Sequence, residues 1–176
     1  MARLDPATLV FLDETSTPTT MSPLRGRSRR GSRVVGRVPR GQWQAVTLLA
    51  TLTPTGLGPG LQLDGAIDRP GFDTFITQVL VPTLRPGQTV ILDNLSVHKS
   101  AKAQAAIAAA GCHLRFLPPY SPDFNPIEQA FSKLKHLLRR AGARTVEAIQ
   151  TATQAAYRQI SARDAVGYYR EAGYNL

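Results

Sequence analysis

The sequence predicts an α/β domain, a mixed five-stranded sheet with helices packed on it. Three observations carry this. Two unbroken apolar runs, Leu9–Leu12 and Val90–Leu92, suit strands covered on both faces. The first three strands follow one another through turns, which implies an antiparallel unit. The later strands are reached through helical segments, which implies parallel additions by right-handed crossovers. The length of 176 residues, 43% of them apolar, suits one domain with a real core.

Taken in order, the first strand ends at Asp13. Residues 14–42 follow, rich in Arg, Ser, Gly and Pro, with no acidic residue after Glu14. They hold Arg25, Arg27, Arg29, Arg30, Arg33, Arg37 and Arg40, and read as an exposed basic loop or loose hairpin. Residues 43–53 are apolar and β-branched, hence a second strand, with Trp43 opening it as a packing residue. Gly56–Gly60 reads as a turn and Leu61–Ile67 as a third strand. Pro70 fits the first turn of a helix carrying Phe72, Phe75, Ile76, Val79 and Leu80. After the Val90 strand and Asp93, an Ala-rich helix spans about Ser100 to Ala110 and stops at Gly111. A strand at His113–Leu117, a rigid loop at Pro118–Asn125 and a helix from Pro126 to Arg140 complete the pattern. Beyond Gly142, Val146, Ile149, Ala156 and Ile160 mark one last amphipathic helix.

The net charge of +9 favours a polyanionic partner, most commonly nucleic acid. One cysteine, Cys112, excludes an internal disulfide and a thiolate metal cluster, reads as a small buried side chain, and suits a reducing cytoplasm. The run Leu9–Leu12 is too short for a signal peptide, and no stretch approaches the roughly 20 apolar residues that span a membrane.

Three acids stand where an α/β sheet collects ligands. Asp13 and Asp93 each follow a buried-type strand, and ligands gather beyond the carboxyl ends of such strands. If the strands are neighbours the two carboxylates face one another, an arrangement that a divalent cation resolves. Glu128 opens a helix whose face continues through Ser132, Lys135 and Arg139, a stripe suited to a phosphodiester backbone. Each acid also has a plainer reading. Asp13 could end a strand, Asp93-Asn94 could be a turn pair, and Asn125-Pro-Ile-Glu128 fits a capping box. His98 reads either as a polar helix-entry residue or as a group that touches DNA or positions one of the acids. Tyr120 and Ser121 read as shaping their loop or as touching the DNA backbone.

The joint pattern resembles a known family. The segment LPPYSPDFNPIE, Leu117 to Glu128, continued by QAFSKLK to Lys135, resembles the last catalytic motif of insertion-sequence transposases of the mariner-like superfamily. ILDNLSVH, Ile91 to His98, resembles their second motif, and FLDET, Phe11 to Thr15, their first. Thirty-four residues separate Asp93 from Glu128, a spacing typical of that superfamily.

The resemblance implies an RNase H-like fold and a DDE triad of Asp13, Asp93 and Glu128, which would be both catalytic residues and metal ligands for two Mg²⁺ or Mn²⁺ ions. It implies cleavage at transposon ends and strand transfer into target double-stranded DNA, with a homodimer on DNA. Arg25, Arg27, Arg29, Arg30, Arg33, Lys135 and Arg139 are the candidate DNA-binding residues, with Asn94 and His98 as auxiliary candidates. The expected organisation is a single DDE catalytic domain over 1–176, with an inserted basic loop at about 16–42. The N-terminal helix-turn-helix domain of full-length relatives is expected to be absent, since Asp13 comes almost at once. A separate helix-turn-helix polypeptide would then choose the DNA, in the nucleoid-containing cytoplasm of a prokaryote. The alternatives are another RNase H-like DNA nuclease and a catalytically inactive DNA-binding remnant.

Neutralising Arg27, Arg29 and Arg30 together is expected to weaken DNA binding and flatten its salt dependence. Unchanged binding across a salt titration would dispose of that role for the loop.

Overall fold

The computed structural model describes residues 5–36, 38–40 and 43–176. Five strands form one sheet in the order β3-β2-β1-β4-β5. β1 (Leu9–Pro18), β2 (Ala45–Thr53) and β3 (Gly56–Asp64) are antiparallel neighbours. β4 (Thr89–Leu92) lies parallel to β1, and β5 (His113–Phe116) parallel to β4. Asp93 follows the last residue of β4, as expected. Asp13 does not end its strand: β1 runs five residues further. Thr15 and Thr17 are β-branched and buried, and the ladder with β2 continues to Pro18 opposite Ala45. Proline has no N–H to extend it.

The basic connection is therefore shorter than residues 14–42 or 16–42 and begins at Thr19. Its base is tied down by Arg144, whose Nη1 donates to the Met21 carbonyl at 2.5 Å. Arg25, Arg27, Arg29, Arg30, Arg33 and Arg40 are all exposed, while Arg37 lies outside the described residues. The Ser32 N–H donates to the Arg29 carbonyl, a turn that folds the loop back on itself without a strand ladder.

Other departures have local causes. Trp43 precedes β2 and is 63% exposed, so it is not a packing residue. The turn between β2 and β3 is only Pro54-Thr55, and Gly56–Gly60 belongs to β3. Gly56 takes φ 122 there, and the β3 backbone at Gly60 lies against Tyr157, where a side chain would collide with the phenol oxygen. β3 ends at Asp64, before Ile67. The helix after Pro70 is regular as α1 (Arg69–Thr74) and then widens to π geometry over Phe75–Leu80.

Alternation along β1 divides the core. Leu9 and Phe11 face one layer, made by α3 (Ile127–Ala141), α4 (Val146–Tyr157) and α5 (Ala162–Glu171). Val10 and Leu12 face the other, made by α1, its π extension and α2 (Ala101–Ala109). Each fully buried Leu or Phe contributes about 1.5–3 kcal/mol. α3 buries Ile127, Ala130, Phe131, Leu134 and Leu138 at three-to-four spacing and closes on Gly142, whose φ of 64 suits glycine. Cys112 is buried, as expected. Among the described residues no helix is long and apolar enough to cross a membrane.

The sequence pattern suggested one helix after Gly142, but there are two. Ser161 caps α5 in a reciprocal box with Asp164, and Lys133 of α3 pairs with Asp164 at 2.8 Å. α5 delivers Tyr169 into the core. Its ring meets Phe11 edge-on at 5.3 Å, and its hydroxyl lies 2.8 Å from the Leu9 carbonyl and 3.2 Å from that of Leu52. Tyr169→Phe should cost about 1–3 kcal/mol, because it leaves buried carbonyls short of a donor. Urea unfolding would read this as a lower midpoint at unchanged slope.

Candidate active site

The β1–β4 register pairs Phe11 with Ile91. Two residues further along, Asp13 comes level with Asp93. Asp13 shares the face of Phe11, so it points toward the layer containing α3. Asn125 and Glu128 stand at the head of that helix, delivered by the loop after β5. Asp13, Glu14, Asp93, Asn94, Asn125 and Glu128 line one cleft of about 640 Å³, together with residues 117–122. The three acids expected from sequence are thus brought together by three separate elements. Tyr120 stands on the cleft wall, fully exposed, with φ 54; among the described residues it alone has positive φ without being glycine.

The capping box expected at Asn125 is not formed. α3 starts without a side-chain cap, and Asn125 Nδ2 donates instead to Asp13 Oδ2 at 2.7 Å. Asp13 Oδ1 accepts from the Glu14 N–H at 2.7 Å. His98 is not simply a polar helix-entry residue. It is wholly buried, with its ring against Phe72 at 4.8 Å. Its Nδ1 lies 2.5 Å from Asp93 Oδ1, and its Nε2 lies 3.1 Å from Glu14 Oε1. Alternation explains Glu14: next to Asp13 on β1, it points to the opposite face, where His98 packs. Glu14 and Asn125 are the site residues that sequence reasoning missed. The first was hidden by ending the strand at Asp13, the second by its resemblance to a cap.

The model of the DDE superfamily endonucleases matches residues 8–150. The chain belongs to this family. Its fold is RNase H-like, similar to that of the Mos1 mariner transposase. Against the Mos1 strand transfer complex the TM-score is 0.71 at 16% identity, covering 94% of this chain and 51% of that one. Against the Mos1 paired end complex with Mg it is 0.68 at 11% identity, covering 95% and 54%. Against the isolated Mos1 catalytic domain it is 0.66 at 12% identity, covering 95% and 76%. The chain spans about half the length of the full Mos1 chains it matches. Among curated protein sequences none matches it.

The electrostatics of this cleft are uneven. Burial above all pushes Asp13 up to about 7; the Glu14 N–H opposes this, and the charges of Glu128, Asp93 and Glu14 add to it. For Asp93, burial works against the charge, but the His98 and Leu95 hydrogen bonds outweigh it and hold the carboxyl below its usual range. Burial alone would lower His98, yet its bonds to Asp93 and Glu14 hold it at about 9, so it is an imidazolium at neutral pH. No group of three or more His, Cys, Asp or Glu among the described residues is arranged as a metal cage. The donor set nevertheless fits a hard divalent cation, which takes one or two carboxylates and leaves its other positions to water and substrate phosphate. Asp13, buried among three other acids, is the group that such a charge would relieve. Lys135 and Arg139 are half-buried on α3, and Asn94 is exposed at the cleft rim.

Asp13 has consequences for stability. Its folded pKa lies above its unfolded value of 3.8, so the native state holds the extra proton between about pH 4 and 7. In chelating buffer, Asp13 should therefore contribute a loss of stability as pH rises through that window. Asp13→Asn should gain on the wild type by a few kcal/mol on going from pH 4 to 8. Urea titrations at several pH values would reveal this; a constant difference would contradict it.

Proposed function

We propose that this chain is the catalytic part of a transposase, with residues 1–176 acting as one DDE unit that cleaves DNA at transposon ends and transfers the strand into target DNA. The observation that carries this reading is the convergence of Asp13, Asp93 and Glu128 on one cleft in a DDE endonuclease fold. The matched Mos1 structures, a strand transfer complex and a paired end complex with Mg, support it by analogy.

Asp13, Asp93 and Glu128 would hold two Mg²⁺ or Mn²⁺ ions. Bound there, such ions would stabilise the negative charge that develops on oxygen during phosphoryl displacement. His98, buried between Phe72 and two acids, holds the Asp93 carboxylate in one orientation, and Glu14 holds the imidazole. This is how a ligand is prepared from behind. Asn94, at the exposed rim, faces the DNA. Lys135 and Arg139 follow Glu128 along α3 and meet the phosphate backbone, as do Arg25, Arg27, Arg29, Arg30 and Arg33 of the basic loop. Such contacts position a duplex without reading its sequence. A homodimer would process two ends together, and a separate helix-turn-helix polypeptide would select them, in the cytoplasm of a prokaryotic cell.

The test is cleavage of terminal inverted-repeat DNA with Mg²⁺ or Mn²⁺, with and without such a partner. Asp93→Asn and Glu128→Gln should each reduce cleavage about a thousandfold or more, equivalent to roughly 4 kcal/mol of transition-state stabilisation. Cleavage that survives either change would sink the triad, and no cleavage by the wild type under any condition would favour a binding-only protein.

A further inference from the structure

Asn125 is 5% exposed and stands three residues before Glu128. It immediately precedes Pro126, the N-cap of α3; its side chain caps nothing, and its amide crosses to Asp13 on β1. The other end of that amide, Oδ1, is buried and accepts no hydrogen bond from the protein. A buried acceptor without a donor is uncommon in a folded protein and points to a role outside simple packing. This side chain thus leaves its acceptor oxygen unused while keeping a short bond to one carboxylate.

We infer that Asn125 is a positioning residue, whose amide docks the head of α3 onto β1 and so sets the mutual orientation of the Asp13 and Glu128 carboxylates. The inference rests on the reading of these acids as ion-holding groups. The chemistry favours an amide here. Asp13, Glu14, Asp93 and Glu128 already crowd the cleft with like charge. A further acid would add repulsion, and a lysine or arginine would compete with a cation for the same oxygens. A neutral donor immobilises the carboxylate without either effect. With the Glu14 N–H on Oδ1 and Asn125 on Oδ2, neither oxygen of Asp13 is free to rotate away. Each keeps lone-pair capacity for an ion, since an ionised carboxylate offers about four acceptor sites. Because Asn125 and Glu128 share one turn of chain, the same bond that orients Asp13 also limits where Glu128 can sit.

The experiment is Mn²⁺ binding to the whole chain without DNA, followed by electron paramagnetic resonance, for wild type, Asn125→Ala and Asn125→Leu, with Asp13→Asn as reference. Leucine keeps the volume of the amide while removing its hydrogen bonds. Both Asn125 variants should bind Mn²⁺ about 10–100-fold more weakly, the usual loss when a group behind a metal ligand is removed, while still melting cooperatively. Their cleavage should recover as Mn²⁺ is raised, a change in metal requirement that loss of fold would not produce. Wild-type Mn²⁺ affinity in a folded Asn125 variant, with Asp13→Asn weakened, would overturn the inference and leave the active-site reading standing. Wild-type affinity in Asp13→Asn as well would overturn both. Loss of cooperative melting in both Asn125 variants would assign the residue to structure alone and overturn it too.

Discussion

The parallel pairing of β1 with β4 is the constraint on which the rest of the structure depends. It is short, three residue pairs from Leu9–Thr89 to Phe11–Ile91, but it carries the chain past the end of β4 with Asp13 and Asp93 level. A slip of one residue would exchange the faces of β1 and put Phe11 and Asp13 on the wrong layer. The antiparallel ladder with β2 guards against this. Eight pairs, from Phe11–Leu52 to Pro18–Ala45, hold β1 well beyond the point where β4 stops. The acids therefore sit at a step in the sheet, where one neighbour has ended and the other continues.

That step makes room for the cleft and creates its electrostatic problem. β1 carries Asp13 and Glu14 out at consecutive positions, one to each face. The two faces answer differently. On the α1–α2 side, Glu14 and Asp93 share the His98 imidazolium, so charge meets charge around a buried ring. On the α3 side, Asp13 is held by neutral donors only, the Glu14 N–H and the Asn125 amide. Burial above all, with the neighbouring acids, makes Asp13 resist ionisation, while the His98 and Leu95 hydrogen bonds keep Asp93 charged. An asymmetry of this kind is common where a fold trades stability for chemistry, and a bound cation would remove most of its cost.

The outer layers serve the same arrangement. α3 brings Glu128 to the cleft and is held against the sheet by its apolar stripe. α5 locks behind it through the Lys133–Asp164 pair and the Tyr169 hydroxyl, which reaches carbonyls of both β1 and β2. The basic connection between β1 and β2 leaves the sheet beyond the site, carrying Arg25, Arg27, Arg29, Arg30, Arg33 and Arg40 into solvent.

The residues by themselves determined the α/β class, the mixed sheet, the place of Asp93, and the helix that presents Glu128. They did so because apolar runs, helical spacing and Gly or Pro punctuation are local signals with direct physical causes. The extent of β1 was less legible, since Thr15 and Thr17 break the apolar run while remaining buried. α5 was missed because Ile160 prolongs the apolar spacing of α4, although Ser161 and Asp164 form a local capping box at the start of α5. Trp43 looked like a core residue and is exposed. The contacts of Glu14, His98 and Asn125 were decided by tertiary structure alone. A glutamate, a histidine and an asparagine have many local uses, and each acquires its own only when the fold brings a partner from far along the chain: His98 to Glu14 across 84 residues, and Asn125 to Asp13 across 112.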